Sequence, residues 1–467
     1  MADVEHNEVP QRRTPIPKFQ VSIILLIQFA EPITALVIYP FVVQFVRDLG
    51  ITGGDETKIG FYAGLLESVF FLAESLTVYM FGRLSDIYGR RPVLLVAPLG
   101  LGLAMFGFGL SKTFWLLLFF RCIQGVCNGN IGVTKTVINE IADATNIADI
   151  FSMGPLVWSI AGTIAPLIGG VLSNPATKWP NTFGKIEVFR SHPYFLPCAV
   201  AGCIALASFA IAFIGLKEAS LARKHKKGRA QETDPLLPEE PPHEEEPHAP
   251  PPPLRDLLTP PVLLALTTHG ALHFSNMAND ALVPLFFATP IKLGGLGLRP
   301  QDIGLILSVV GICNAIVQGL FGGRIIRYFG PRRIFIAGFY CLAVEFAMYP
   351  LVSSLAHRAG RVNGVVLLAL GCQLSTTFVI YLAYACTNLF VMDSAPSRSS
   401  LGSVNGLSQM IATLLRSIGP SFASSLFALS VEHQIAGGFL VYIVLVSAAL
   451  GAVQFAYRLP SKLQLKK

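Results

Sequence analysis

The amino-acid sequence predicts an all-α membrane protein with twelve transmembrane helices in two pseudo-symmetric six-helix halves. First, 52% of the 467 residues are hydrophobic and 13% are charged, and the mean hydropathy is +0.58, which is more apolar surface than a soluble fold could bury. Second, apolar runs recur at the length of about 20 residues that a helix needs to cross a bilayer. Third, one short basic segment occurs twice, once in each half.

Twelve apolar runs precede or follow a polar linker, six on each side. We call them spans 1 to 12, and they lie near 18–44, 59–81, 93–111, 114–139, 150–173, 193–215, 261–288, 302–322, 334–354, 364–391, 403–430 and 434–457. Backbone groups cannot stay unpaired in lipid, and barrel strands would be half as long, so each run is expected to be a helix. Span 1 is long and continuous after a polar start, which favours a retained helix over a cleaved signal peptide.

The polar segments complete the predicted organisation. The linker is rich in proline and acidic residues and cannot bury a core, so it is expected to be disordered. The predicted units are a cytoplasmic N-terminal tail (1–17), an N-terminal half (18–216), the cytoplasmic linker (217–258), a C-terminal half (259–457) and a cytoplasmic C-terminal tail (458–467).

Lysine and arginine predict the orientation. If the N-terminus is cytoplasmic, 22 of the 35 basic residues face the cytoplasm, 10 face the other side and three lie within spans. The net charge of +7 therefore reflects topology and gives no reason to expect nucleic-acid binding. The stretch 232–237 in the linker fits an acidic dileucine sorting signal, so we expect the plasma membrane or the vacuolar membrane as the location. We expect the protein to be a monomer.

The repeated segment is a basic, glycine-bounded loop after span 2. Its first copy, Gly82–Arg91, reads GRLSDIYGRR, and its second copy, Gly323–Arg332, reads GRIIRYFGPR. Both glycines, the first arginine and an aromatic residue keep their offsets. The two halves are therefore predicted to be related, with the acidic residue Asp86 kept in the first copy only.

This loop and the twelve spans resemble the major facilitator superfamily. The family's signature after span 2 is met by Gly82, Asp86, Gly89, Arg90 and Arg91, and the resemblance implies that it acts as a conformational gate. The segment Arg121 to Gly125 is similar to the family's second motif, and Pro166, Gly169 and Gly170 are similar to its antiporter motif, although alanine replaces the usual glycine at 161 and 165.

Further segments resemble a narrower group. Glu31-Pro32, 59–64, 293–297 and 418–420 are similar to the drug:proton antiporter branch, and within it to fungal relatives of the plant zinc-induced facilitator-like proteins. The resemblance implies exchange of protons for a small organic molecule.

Two intramembrane charges are the candidates for proton coupling. Charge in the bilayer is costly, so it marks function by default. A carboxyl at Glu31, near the middle of span 1, can take up and release a proton as its surroundings hydrate. Arg121 in span 4 keeps its charge, and the resemblance gives it a role in tuning a nearby acid such as Glu31. The alternatives are a carboxyl and a guanidinium that only bond to neighbouring helices.

The candidate substrate-binding residues are polar side chains that share helix faces. Arg121, Gln124 and Asn128 fall within about 60° of one another at 100° per residue. Amides with tyrosines suit an organic ligand, and polar contacts between helices are the equal alternative. The full set is Gln28, Gln124, Asn128, His273, Asn276, Asp280, Gln373, Tyr381, Tyr384, Asn405, Gln409 and Arg416.

Span 7 carries His269, His273, Asn276 and Asp280 on one face. The stripe could line a substrate cavity, relay protons, bind a metal or pack. Its length of about 16 Å separates Asp280 from His269, so no metal site and no cofactor is predicted.

These patterns predict a proton-coupled secondary transporter, an antiporter, that exports or compartmentalises a small organic molecule by alternating access. A proton-independent facilitator or a metal-chelate transporter is an alternative, and a membrane receptor with the same fold belongs to another class. An enzyme is not predicted, because no nucleophile–base pair, nucleotide loop or metal triad is found.

Overall fold

A computed structural model describes residues 17–141, 150, 153–216, 257–396 and 400–460. It leaves out the side chains of a few helical residues, Asp86 among them. Almost all of the predicted linker, 217–256, and both outermost tails lie outside the described residues. Within the described ranges the secondary structure is entirely helical, which confirms the predicted all-α class.

The helices follow the predicted spans in order. Spans 1 to 6 are Lys18–Leu36 with Val42–Asp48, Ile59–Tyr88, Arg90–Gly109, Phe114–Cys127 with Ile131–Ile141, Gly154–Leu172, and Phe195–Gly215. Spans 7 to 12 are Pro260–Ala288, Pro300–Ile316 continued by a π-helix Val317–Gly322 and by Gly323–Phe329, Pro331–Ala359, Gly364–Ser375 with Thr377–Ser394, Leu401–Glu432, and Leu440–Ala456. Short helices between spans are Glu56–Lys58, Pro175–Lys178, Phe183–Lys185, Glu187–Ser191, Ile291–Leu293 and Ile435–Gly438.

Length and hydropathy alone identify nine of these helices as membrane-spanning within the described ranges. Spans 5 and 12 contribute the shorter apolar helices Val157–Leu172 and Leu440–Ala456. Span 7 is long enough, with 29 residues, but its polar stripe makes it less apolar than the nine. The helix that deviates most from a lipid-like composition is therefore the one with the most buried polar side chains.

The repeated basic segment is more helical than the sequence predicts. Span 2 continues as helix through Tyr88, and the only break is Gly89, at φ +94°. Gly330 makes the same break in the second copy, at φ +82°. Glycine alone adopts this conformation without steric cost, so each copy reverses the chain with one residue. The predicted loop is thus wrong except at Gly89, because 82–88 end one helix and Arg90 begins the next.

Four spans predicted to be continuous are interrupted. Span 1 turns at 37–41, between its two helices. Span 4 turns at 128–130, where two asparagines flank a glycine, and all three are poor helix formers. Span 8 contains the π-helix, and span 10 is broken at Thr376. Such irregularities in membrane helices are tolerated where the freed backbone groups face protein or a cavity.

The two halves meet through two pairs of helices. Span 2 packs along span 11, and span 5 packs along span 8. The internal repeat relates these two pairs to each other, because spans 2 and 5 of the first half correspond to spans 8 and 11 of the second half. Span 6 packs on spans 1 and 3, and span 12 packs on span 9, so these helices lie away from the seam.

The described contacts between halves lie in the parts of these spans away from the chain termini. A Cβ on Gly170 of span 5 would come within 2.6 Å of Pro300 O, at the start of span 8. Ser421 N of span 11 donates to Ser68 Oγ of span 2 at 2.9 Å. Near the terminal side, a Cβ on Gly82 or Gly406 would meet nothing within 4 Å. Over the described residues these contacts between the halves therefore lie towards the end opposite the termini, which we call the closed end.

Candidate substrate and proton site

Four charged side chains from both halves converge between the spans. Glu31 of span 1 and Glu74 of span 2 are 8% and 0% exposed. Arg416 of span 11 interacts electrostatically with both carboxylates and with Asp280 of span 7. In the described part of the chain none of the four forms a direct ion pair. Three carboxyls therefore share one guanidinium across the seam; we call this set the acidic cluster.

The acidic cluster leaves hydrogen-bonding capacity unused. Both carboxylate oxygens of Glu74 and Oε1 of Glu31 accept no hydrogen bond from the described residues. The amide of Asn128 lies beside both carboxyls, but its nitrogen has no partner within hydrogen-bond distance. Buried polar groups are normally paired, so these atoms are suited to receive a proton, water or a ligand.

Aromatic rings surround the cationic member of the cluster. The guanidinium of Arg416 lies 5.6 Å from the ring centroid of Phe71 and 5.9 Å from that of Trp158. Such stacking holds a cation in place without neutralising it. The same rings offer a face to another cation that enters between the halves.

Arg121 lies in a second, separate group. Its Nη1 donates to Gln124 Oε1 at 2.8 Å, and its guanidinium carbon is 4.8 Å from the Phe70 ring centroid. The acid with which it interacts is Glu67 of span 2, together with the phenol of Tyr39. The sequence predicts Glu31 as the acid near Arg121. In the structure Glu67 is the acid near Arg121, and Arg416 is the base near Glu31. Glu67 and Glu74 lie two turns apart on span 2, so that Glu67 faces Arg121 and Glu74 joins the acidic cluster.

The span 7 stripe is built as predicted but divides into two parts. The rings of His269 and His273 lie 4.5 Å apart, and His273 packs edge-on to Tyr384 of span 10 at 4.9 Å. Further along the helix, Asn276 Nδ2 donates to Asp280 Oδ2 at 2.8 Å. Over the described residues, no group of three or more His, Cys, Asp or Glu side chains is placed to hold a metal ion.

The other predicted binding residues differ in exposure. Tyr381 is 38% exposed, and the side chains of Gln28, Tyr384, Gln409 and Arg416 are half-buried, so they line the open space between halves. Asn405 is exposed nearer the terminal side. Gln373, by contrast, is 1% exposed, and its Nε2 donates to the backbone oxygen of Glu345 at 3.2 Å. Gln373 therefore lies in the packing between spans 9 and 10, away from the open space.

The gating motif ties its own half together. Arg90 Nη1 donates to Ser85 Oγ at 2.6 Å, and Arg91 Nη2 donates to Phe213 O at the end of span 6. In the second half Arg332 Nη2 donates to Tyr457 O at the end of span 12. This bond repeats the one from Arg91, so the repeat extends to side-chain contacts. The predicted latch around Asp86 involves a side chain outside the described residues.

The antiporter motif forms two close helix contacts. A Cβ on Gly169 would lie 2.0 Å from Val37 O of span 1, and one on Gly170 would lie 2.9 Å from the Cα of Gly304 of span 8. Pro166 O faces the same Gly304. The motif thus packs span 5 against span 1 of its own half at Gly169 and against span 8 of the other half at Gly170.

Two pockets of about 290 and 280 Å³ lie at the closed end, away from the acidic cluster. Asp48, Lys112, His192 and Tyr194 are among the residues that line the first. Lys58 and Glu432, from opposite halves, line the second. Neither contains a predicted site residue.

The sequence predicts Glu31, Asp280 and Arg416 as site residues, and it leaves Glu67 and Glu74 open as a second protonation site or as partners of Lys135. Glu67, Glu74 and Glu345 carry the same signal, a carboxyl inside an apolar run, which marks them as candidates. What the sequence lacks is the neighbour of each one, because that depends on how spans 1, 2 and 11 pack.

Twelve spans in two halves, with charged and polar groups of both halves facing each other at mid-depth, define a multi-pass membrane transporter. The sequence matches the Major Facilitator Superfamily over residues 24–420, and the chain belongs to this family. It is therefore a transporter of small molecules across a membrane, and the predicted fold class and family are confirmed.

Individual relatives support the narrower resemblance. The chain is 32% identical to the major facilitator-type transporter psiT2 of Psilocybe cyanescens, over 97% of this chain and 92% of that protein. It is 27% identical to the multidrug transporter mfsB of Aspergillus fumigatus over 89% and 79%, and 29% identical to Zinc induced facilitator-like 1 of Arabidopsis thaliana over 93% and 90%. The crystal structure of a D-xylose-proton symporter superposes with a TM-score of 0.69 at 14% identity, over 97% of this chain and all of that one.

Proposed function

We propose that the protein is a proton-coupled antiporter of organic cations, and that protons and substrate compete for the acidic cluster. The observation that carries this proposal is the sharing of Arg416 by Glu31, Glu74 and Asp280 at the seam between halves.

The charge of the cluster favours a cation. Three ionised carboxyls against one guanidinium leave two negative charges in a region from which water is largely excluded. An uncompensated charge there is costly. The cluster can lower this cost by binding protons or by binding a positively charged ligand, and it cannot do both fully at the same time. Competition of this kind couples the two flows in opposite directions.

The lining defines the ligand further. Tyr381 and Tyr384 border the open space on span 10, and Phe71 and Trp158 flank Arg416. Aromatic faces attract organic cations, and amides such as Asn128 and Asn276 supply hydrogen bonds. The preferred substrate is thus an aromatic or amphipathic amine or quaternary ammonium compound. The name of the Aspergillus fumigatus relative, a multidrug transporter, agrees with a substrate of this breadth.

The cycle uses the two ends of the molecule. With the terminal side open, the cluster loses its proton and takes up the cation from the side of the termini. The contacts of span 5 with span 8 and of span 2 with span 11 then part at the far end, where the cation leaves and a proton returns. The distribution of basic residues favours cytoplasmic termini, and with this orientation the cation moves out of the cytoplasm, across the plasma membrane or into a vacuole.

The test is ethidium flux in proteoliposomes with an imposed pH gradient. Ethidium carries a permanent positive charge, and its fluorescence on entrapped DNA reports its entry. We expect wild-type protein to transport ethidium only when the destination compartment is the more acidic one. Glu31→Gln should abolish the dependence on the gradient while it leaves exchange of ethidium against ethidium measurable.

Glu187→Gln is the matched control. Glu187 begins an exposed short helix between spans 5 and 6, so the same chemical change there should leave gradient-driven flux unchanged. Transport of neutral or anionic probes alone, or a pH dependence of Glu31→Gln equal to that of wild type, would contradict the proposal.

A further inference from the structure

A carboxyl in the C-terminal half, Glu345 of span 9, lies outside the acidic cluster. It is fully buried, at 0% exposure, near the middle of its helix. No lysine or arginine among the described residues contributes to its surroundings. An ionised carboxylate with no cation is among the most costly groups to bury, so its environment must be adapted to a neutral form or to a change between two forms.

The hydrogen bonds around Glu345 come from two other spans. Asn279 Nδ2 of span 7 donates to Oε1 at 2.8 Å, and Thr377 Oγ1 of span 10 lies 3.2 Å from the same oxygen. The position of Asn279 is itself fixed, because Tyr349 OH donates to its Oδ1 at 2.9 Å. Thr377 Oγ1 also lies 3.5 Å from Oε2, so its shorter contact is the one with Oε1. Oε1 is therefore the better-served oxygen and is suited to be the carbonyl oxygen of a protonated carboxyl.

The second oxygen, Oε2, faces a hydroxyl that cannot serve it freely. Thr376 Oγ1 lies 3.0 Å from Oε2 but only 2.7 Å from the backbone oxygen of Gln373. A threonine hydroxyl has one hydrogen to donate. If Thr376 donates to Gln373 O, the contact with Oε2 is a hydrogen bond only when Glu345 is protonated and donates to Thr376.

We propose that Glu345 is a second proton-binding residue of this transporter, held in its protonated form by a chain of hydrogen bonds from Oε2 through Thr376 to Gln373 O. This inference rests on the proposed function, to which it adds a separate proton-binding site in the C-terminal half. When the proton leaves Oε2, the hydroxyl hydrogen of Thr376 rotates from Gln373 O to Oε2. Gln373 O then keeps only its bond from Thr376 N, at 3.2 Å.

The rotation takes place where span 10 is broken. Thr376 is the single residue between the helices Gly364–Ser375 and Thr377–Ser394. The second of these helices carries Tyr381 and Tyr384 into the open space. A change in the bonds of Thr376 and Thr377 thus acts on the junction that positions two substrate-facing rings. The backbone of Thr376 keeps helical angles, φ −64° and ψ −28°, so only the hydrogen-bond pattern of span 10 is interrupted at this point.

The charge of Glu345 also acts on the acidic cluster directly. Asp280, the residue after Asn279, is half-buried and interacts electrostatically with Glu345. The other titratable groups that face Glu345 are Tyr381 on span 10, Tyr349 and Cys341 on its own helix, and Tyr442 on span 12, which stacks on Tyr349. Asp280 is the only carboxyl in this described set. A negative charge on Glu345 therefore disfavours a second one on Asp280 unless a cation is bound there.

Infrared difference spectroscopy of the reconstituted protein tests the site without any substrate. Spectra taken at acidic and alkaline pH report the C=O stretch of protonated carboxyls. We expect Glu345→Gln to remove one pH-dependent band that persists in Glu31→Gln. Thr376→Val keeps the carboxyl but removes its acceptor, so the same band should move to higher frequency. A Glu345→Gln spectrum identical to wild type, or a band unmoved by Thr376→Val, would overturn the proposal.

Proton counting then tests the role in transport. With wild-type protein and ethidium as the probe, protons released per ethidium are read with a pH dye. Glu345→Gln should lower this ratio by one and keep ethidium exchange, and an unchanged ratio would overturn the coupling role. If wild type moves no ethidium at all, the proposed function fails while the infrared result still decides whether Glu345 binds a proton.

Discussion

Gly170→Ala should shift the transporter away from the conformation that is closed at the end opposite the termini. A Cβ at this position would lie 2.6 Å from Pro300 O and 2.9 Å from Gly304 Cα, against 3.4 Å for ordinary contact. The shorter contact is 0.8 Å too close. Both neighbours are backbone atoms, so a change of rotamer cannot relieve the clash, and spans 5 and 8 must separate.

The magnitude follows from the cost of overpacking. Inserting a methyl group into a close-packed contact typically costs about 1–3 kcal/mol, which corresponds to a change of about 5- to 140-fold in the equilibrium between closed and open ends. Alanine also gains about 1 kcal/mol of helix propensity over glycine. Gly162→Ala on the same helix is the control for that gain, because a Cβ there meets nothing within 4 Å.

The assay is double electron–electron resonance, which measures the distribution of distances between spin labels at positions 182 and 292. These exposed residues lie in the loops after spans 5 and 7, one in each half, at the closed end. With the eight native cysteines replaced, we expect Gly170→Ala to add or enlarge a population with a longer distance. An unchanged distribution, or an equal change in Gly162→Ala, would refute the inference that the Gly170–Gly304 contact closes this end.

Two further outcomes follow from single contacts. Arg121→Lys should lower the initial rate of ethidium exchange by about tenfold or more, because hydrogen bonds of charged groups are worth about 1.5–3 kcal/mol. An ammonium cannot keep both the bond to Gln124 and the stacking on Phe70. A rate within twofold of wild type would contradict this role. Outside the membrane, hydrogen bonds from Thr57 and Lys58 lower the pKa of Asp55 to about 2. Because the pKa is lower in the folded state than in the unfolded state, the ionised carboxylate stabilises the Glu56–Lys58 turn above about pH 4. This stabilisation is lost as the pH falls towards 2. The protection of the Thr57 amide against hydrogen exchange, taken relative to the intrinsic exchange rate at each pH, should fall over that range in wild type and show no such step in Asp55→Asn.

Periodicity and composition were sufficient for the fold but not for its irregular points. The lengths of the apolar runs predict the order of the spans, and the repeated glycines predict that the halves correspond. The break in span 4 is marked by the poor helix formers at 128–130, but the interruptions in spans 8 and 10 carry no comparable signal. Thr376 is an ordinary residue for a membrane helix, and its special position depends on Glu345 from another span.

The candidate site shows the same division. Helical spacing places Gln124 and Asn128 on the face of Arg121, and the cost of charge in lipid singles out Glu31. Which acid faces which base is a matter of tertiary packing: Arg121 is beside Glu67, whereas Glu31 shares Arg416. Helical periodicity orders residues within one helix, but it carries no information on the rotation of one helix relative to another.

Proton release on ligand binding tests the central claim most directly. Ethidium is added to purified protein in weakly buffered solution near neutral pH, and the change in pH is recorded with no membrane and no flux. Competition for the acidic cluster predicts that wild-type protein releases protons in proportion to the ethidium bound and that Glu31→Gln binds ethidium with a smaller release. Binding without any proton release, or an equal release from Glu31→Gln, would contradict the account.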